Sequence, residues 1–110
     1  MIPEEYKPMI DKIISKTDTR KCSWETTSDS EKFILKAGSN SISIFYYESY
    51  PDDVPVVALE ILNLFGEKVD GIYIKNEDID FDKMYQLYTA ARRNALKITE
   101  TISDIMTWLD

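Results

Sequence analysis

Residues 82–109 read DKMYQLYTAARRNALKITETISDIMTWL, and within them Met84, Tyr88, Ala91, Ala95, Ile98, Ile102, Ile105 and Leu109 recur at alternating steps of four and three. Steps of that size set every one of these side chains on a single stripe of an α-helix. The stripe predicts one long C-terminal helix with an apolar layer beneath it. Leu87, Asn94, Thr101 and Trp108 flank it on one side, and Thr89, Leu96 and Ser103 on the other. None of them is charged, whereas a paired zipper sets register and partner with charged residues at those places. With the small Ala91 and Ala95 permitting close approach, the pattern predicts packing on the protein's own sheet rather than on a twin helix.

Working outward, the preceding segments read as strands joined without a helix between them. Cys22 to Thr27, Lys32 to Ala37, Ser41 to Tyr47, Val56 to Asn63 and Lys68 to Ile74 are rich in β-branched and aromatic residues and separated by turn chemistry. The longest connection, residues 48–55, holds Pro51 and Pro55, which do not suit the middle of a central strand. Short connections predict that each strand pairs with its predecessor in an antiparallel meander. At the N-terminus, Ile2, Tyr6, Met9, Ile10, Ile13 and Ile14 follow a helical period through Lys16, with the regular helix expected to begin at Pro8 after a looser turn. The fold class is therefore α+β: an N-terminal helix, a five-stranded antiparallel meander sheet and a long C-terminal helix packed across one sheet face, all in one domain spanning 1–110.

Alternation separates the two faces of this sheet. Phe33, Leu35, Ile42, Ile44, Tyr46, Val57, Leu59, Ile61, Ile72 and Ile74 form a nearly continuous apolar face that should receive the long helix. The other face collects Ile34, Phe45, Tyr47, Ala58, Leu62 and Tyr73, interrupted by Lys32, Lys36, Ser43 and Glu60. It is more aromatic than contact with water alone favours, so either the N-terminal helix or a partner should cover it. A helix over residues 82–109 spans about 42 Å at about 1.5 Å per residue, against about 20–25 Å for strands of this length. Its end, with Ile102, Ile105, Met106, Trp108 and Leu109, should overhang the sheet by a turn or two. The N-terminal helix is the economical cover for that end, and a second subunit is the alternative.

The chain of 110 residues carries a net charge of −7 and a single cysteine. The charge disfavours binding to nucleic-acid phosphates. The lone Cys22 excludes an internal disulfide and fits a reducing compartment. No signal peptide and no membrane span are readable, so the expected location is cytoplasmic. The chain contains no histidine, which leaves Cys22 without an activating base and removes both the Ser-His-Asp triad and the usual Cys/His zinc site. No glycine-rich phosphate loop is present. Asp78, Asp80 and Asp82 alternate as in a calcium loop, but Lys83 and Thr89 stand where such a loop needs glycine and a carboxylate. Asp78 or Asp80 is better read as a helix cap. Neither enzyme activity, a cofactor nor a metal is expected.

Two features carry the functional reading. Arg92 and Arg93 are the basic doublet of the long helix, a candidate anion contact but more ordinarily a solvated face paired with carboxylates. The aromatic cluster Phe45-Tyr46-Tyr47, with Tyr50 in the following loop, carries more weight, because tyrosine and phenylalanine are favoured at interface centres. The plan is similar in outline to many small bacterial domains. Size and acidity resemble the small dimeric secretion chaperones, which place a helix between groups of strands where this chain has none.

The expectation is a noncatalytic protein–protein interaction module, an adaptor, inhibitor or chaperone-like homodimer with no nucleic-acid or membrane partner. Its surface would comprise Ile34, Phe45, Tyr47, Tyr50 and Tyr73. The alternative is a small-ligand sensor with a pocket between the long helix and the sheet, lined by Tyr46, Tyr85 and Tyr88.

Overall fold

The computed structural model describes residues 1–110. A 3₁₀ turn over Glu4–Tyr6 leads into α1 (Lys7–Asp18), with Pro8 in the first turn, where its missing N–H costs nothing. Five strands follow: β1 (Trp24–Thr26), β2 (Lys32–Ala37), β3 (Asn40–Ser49), β4 (Val54–Leu62) and β5 (Lys68–Lys75). They lie in the order β1-β2-β3-β4-β5, and every neighbouring pair is antiparallel. The chain closes with two helices, α2 (Phe81–Ala95) and α3 (Ile98–Leu109). The α+β class and the five-stranded meander are as the sequence indicates. Pro55 does enter β4, at its second residue, opposite Glu48 and beyond the last β5 pair at Val56 and Lys75. No helix is long and apolar enough to cross a membrane.

The core is a single helix-on-sheet layer. Met84, Leu87 and Ala91 of α2 are wholly buried, as are Ile44, Val57 and Leu59 of the central strands. Ile10, Ile13 and Ile14 of α1 join the same cluster, so α1 lies beside α2 on one face of the sheet. This corrects one expectation: α1 covers neither the second sheet face nor the far end of the C-terminal helix. Tyr6 continues the apolar period of Ile10 and Ile13 into the same layer, and Ile2, ahead of the 3₁₀ turn, is buried there with its N–H held by Asp80.

Side-chain hydrogen bonds close the margins of the layer. Trp24 anchors the short β1: its backbone N–H donates to Asn94 Oδ1 at 2.8 Å and its indole N–H to Thr17 Oγ1 at 3.0 Å. Asn94 also donates through Nδ2 to the Cys22 carbonyl at 3.0 Å, so one amide satisfies both polar groups of the strand's edge. Tyr6 Oη donates to the Asp70 carboxylate on β5. Asp80 stands at the N-cap of α2 but makes no side-chain cap bond. Its carboxylate accepts the Ile2 N–H at 2.7 Å instead, while Asp78 Oδ1 accepts the Asp80 N–H at 2.8 Å. The acidic run thus ties the N-terminal segment to the start of α2 rather than capping it in the ordinary way.

The predicted single helix is broken. Lys97 adopts a left-handed conformation (φ 54°, ψ 43°) and separates α2 from α3. Leu96 and Lys97 donate backbone N–H groups to the Arg92 and Asn94 carbonyls, closing α2, and the Lys97 carbonyl accepts from Thr101 to open α3. The break turns the overhanging residues away from the sheet. Among the regular elements α3 touches α2 alone, and every residue from Thr99 to Leu109 is exposed.

Two stability outcomes follow from the burial and from the Tyr6–Asp70 bond. Leu87→Ala removes a wholly buried side chain at the centre of the layer and should cost about 2–5 kcal/mol in urea unfolding. The Tyr6 hydrogen bond holds the Asp70 carboxyl below its ordinary range. Its stabilising effect is therefore complete above the unfolded-state pKa of about 3.9 and fades as pH falls through the lower folded-state value. Asp70→Asn should flatten the decline of the urea midpoint between neutral and acidic pH. An unchanged slope would show that the bond has no pH-linked effect.

Candidate functional site

Two surfaces stand out because the fold leaves them apolar and uncovered, and they lie on different layers of the molecule. The first is the sheet face opposite the helices. Strand pairing arranges it in rows: Lys36, Ser41, Leu62, Lys68; then Ile34, Ser43, Glu60, Gly71; then Lys32, Phe45, Ala58, Tyr73; then Tyr47, Val56, Lys75. The expected residues Ile34, Phe45, Tyr47 and Tyr73 are therefore brought together on one face. Tyr50 lies beyond the end of β3 in the hairpin tip and is almost fully exposed, apart from those rows.

Small residues line the middle of this face and large ones stand around them. Ser43, Val56 and Ala58 are buried by their neighbours, and Ser43 Oγ has no hydrogen-bond partner. Phe45 and Tyr47 stack with ring centroids 5.9 Å apart and 26° between planes. Tyr47 and Tyr73 remain exposed, at 39 % and 44 %. On the β5 side, Tyr73 Oη donates to Glu60 Oε2 at 2.6 Å and accepts from Lys68 Nζ at 2.8 Å. Gly71 makes room for this crossing, since a Cβ there would stand 3.0 Å from Tyr73 Oη. Glu60 is thereby paired with Lys68 at 3.5 Å, and Glu25 of β1, which stands opposite Ile34 on the same face, lies 3.9 Å from Lys36 Nζ. Lys32 Nζ sits 5.2 Å from the Phe45 ring centroid and Lys68 Nζ 5.4 Å from that of Tyr73, both within cation–π range. Lys32 and Lys36 on β2, with Lys68 and Lys75 on β5, frame the face with positive charge although the chain as a whole is acidic.

The second surface is α3. Ile102, Ile105, Met106 and Leu109 are more than half exposed and Trp108 is 83 % exposed. Ile98, at the joint, is half-buried. The polar residues of the segment include Glu100, Asp104 and Asp110, and no lysine or arginine follows Lys97. Glu100, in the first turn of α3, lies 3.8 Å from Nε of Arg20, just past the end of α1. The sequence marked these residues as apolar cargo needing cover. The break at Lys97 stayed hidden because the four-and-three rhythm runs through it without a slip. One sign was present: Ile98, Thr99, Thr101 and Ile102 crowd β-branched side chains just past the joint, where helix propensity is lowered.

The other singled-out residues disperse. Arg92 lies at the rim of an open depression with Glu31, Tyr46, Tyr85 and Tyr88, whereas Arg93 lines a notch with Arg20, Asn94 and Glu100. The doublet thus faces two places, and neither arginine pairs with a carboxylate within 4 Å. Tyr46, Tyr85 and Tyr88 do converge, with centroids 5.8–6.2 Å apart. Tyr88 Oη donates to Glu31 Oε2 at 2.6 Å, and burial, aided by that carboxylate, pushes its hydroxyl pKa upward. Their depression opens at the flank of α2, while the layer directly between α2 and the sheet is filled by Met84, Leu87 and Ala91.

Comparison of the chain with protein-family models, with curated proteins and with solved structures finds no match.

The joint at Lys97 sets where α3 points, and substitution there tests it. A β-branched residue tolerates the left-handed region poorly, whereas glycine enters it freely. Lys97 already bears the about 1–2 kcal/mol that this region costs an L-residue, so Lys97→Val should lower the thermal midpoint or reduce the helical circular dichroism. Lys97→Gly, relieved of that cost, should keep the helical signal with an equal or higher midpoint. Equal behaviour of the two variants would show that α2 and α3 are not joined through this conformation.

Proposed function

We propose that the protein is a noncatalytic protein–protein interaction module of the adaptor, inhibitor or chaperone-like kind, acting through α3 and the open sheet face. The observation that carries this reading is the exposed stripe of α3. Exposed apolar side chains contiguous over about two helical turns, from Ile102 to Leu109, are unusual on a free surface and mark interaction sites. Tryptophan is also the residue type most enriched where interface energy concentrates, and Trp108 is the most exposed large side chain of the stripe. The open face supplies a second surface of interface composition, with aromatic side chains inside and lysines at the margin. An amphipathic helix offered to an apolar face is a recurring mode of peptide recognition.

A photo-crosslinking amino acid placed at position 105 of the full chain, expressed in the organism of origin, tests the reading. A discrete covalent adduct with protein, either another copy or a different chain, is the expected result. Ile105→Lys should abolish association while leaving the unfolding midpoint nearly unchanged, because an exposed position changes stability by only about 0.5 kcal/mol. Irradiation that yields the uncoupled chain alone would overturn the proposal.

A further inference from the structure

We infer that α3 of one copy docks across the open sheet face of a second copy, and that the exchange is reciprocal about a two-fold axis. The inference rests on the interaction reading above and names the occupant of both surfaces.

Geometry excludes the same chain as that occupant. α3 leaves the helix layer, and only Leu96 and Lys97 join it to α2. Two residues reach about 7 Å, less than the about 10 Å between packed layers, and the open face lies on the far side of the sheet. The molecule is correspondingly extended, with principal dimensions of 47 × 35 × 27 Å and a radius of gyration of 14.9 Å, against about 13 Å for a compact chain of this length.

Dimensions, charge and area select a second copy. The twelve residues of α3 rise about 18 Å, and five strands at about 4.8 Å spacing extend about 19 Å from first to last. The helix thus matches the width of the sheet. Its carboxylates Asp104 and Asp110 flank the apolar stripe, and the face carries Lys32 and Lys75 without an ion-pair partner beside the Lys36–Glu25 and Lys68–Glu60 pairs, so its balance is positive. Pairing α3 with another α3 would offer those carboxylates Lys97 alone, at the N-cap of the helix. With about 100 Å² for an aliphatic side chain and about 200 Å² for tryptophan, the exposed stripe offers about 400 Å². Matched by the sheet and doubled by the two-fold, that gives about 1,600 Å², the size of a standard stable interface. Reciprocal exchange also closes the assembly, whereas one-way docking of the same surfaces would propagate a fibre.

Complementation between two damaged chains tests this arrangement. One variant carries Ile105→Lys with Trp108→Lys, leaving the sheet face intact; the other carries Tyr47→Glu with Lys75→Glu, leaving α3 intact. All four positions are exposed, and circular dichroism verifies each fold. In sedimentation velocity the unmodified chain should run as a dimer. Each variant alone should dissociate at least about tenfold more readily, and an equimolar mixture should form a heterodimer through the one undamaged helix-to-sheet contact. A face variant that still dimerises alone would indicate helix-to-helix pairing, and a helix variant that still dimerises alone would indicate sheet-to-sheet pairing. Either result overturns the inference, as does a mixture that stays monomeric. An unmodified chain that is monomeric throughout, yet crosslinks from position 105 to a different protein, overturns the inference and leaves the interaction reading standing.

Discussion

The packing of α2 across the central strands is the constraint on which the remaining structure depends. Met84, Leu87 and Ala91 meet a floor that includes Ile44, Val57 and Leu59, and all of these are withdrawn from water. At about 1.5–3 kcal/mol for each large side chain buried, this contact outweighs any single hydrogen bond or ion pair in the molecule. It also determines where α1 goes. Ile10, Ile13 and Ile14 find apolar surface on the helix side of the sheet, beside α2, and none competes for the lysine-framed opposite face. Trp24 and Asn94 then secure the margin of the layer, because the same amide that meets β1 projects from α2.

The same contact explains why α3 is free. A helix the length of residues 82–109 cannot lie wholly on strands of this size, and the excess has to go somewhere. A straight continuation would have carried the stripe outward in line with α2. The left-handed turn at Lys97 redirects it instead, while preserving a closed hydrogen-bond pattern on both sides of the joint. Glu100 meets Arg20 across that corner. Ion pairs this exposed contribute little to stability, but this one lies where the direction of α3 is set.

Much of this was readable from residue order. The strand alternation sorted Ile34, Phe45, Tyr47 and Tyr73 onto one face because side chains in a strand switch sides at every residue, and the register places them there. The mismatch between helix and sheet lengths was also visible as an expected overhang. Two things were not. The helical period of α1 is the same whichever face of the sheet it covers, so its side could not be deduced from Ile10, Ile13 and Ile14. The break at Lys97 had no glycine or proline to mark it, and the apolar rhythm crosses it without interruption. Tyr50 shows a third limit. Its type suits an interface and its neighbours Phe45 and Tyr47 lie on the open face, yet strand alternation stops at Ser49 and the turn carries its ring elsewhere.

The distribution of charge gives these surfaces a common logic. A net charge of −7 penalises close approach of two copies in most orientations, and two uncovered apolar surfaces would otherwise invite indiscriminate association. The lysines of the open face would offset that repulsion for an acidic helix docked there, as the proposed contact requires. Glu60 is held by Tyr73 and Lys68, and Glu25 lies against Lys36. These pairs leave Lys32 and Lys75, beside the aromatic rows, as the lysines of the face without an ion-pair partner. Repulsion over the whole molecule together with attraction confined to one frame favours a specific encounter over a nonspecific one, because like charges brought together elsewhere penalise every other orientation.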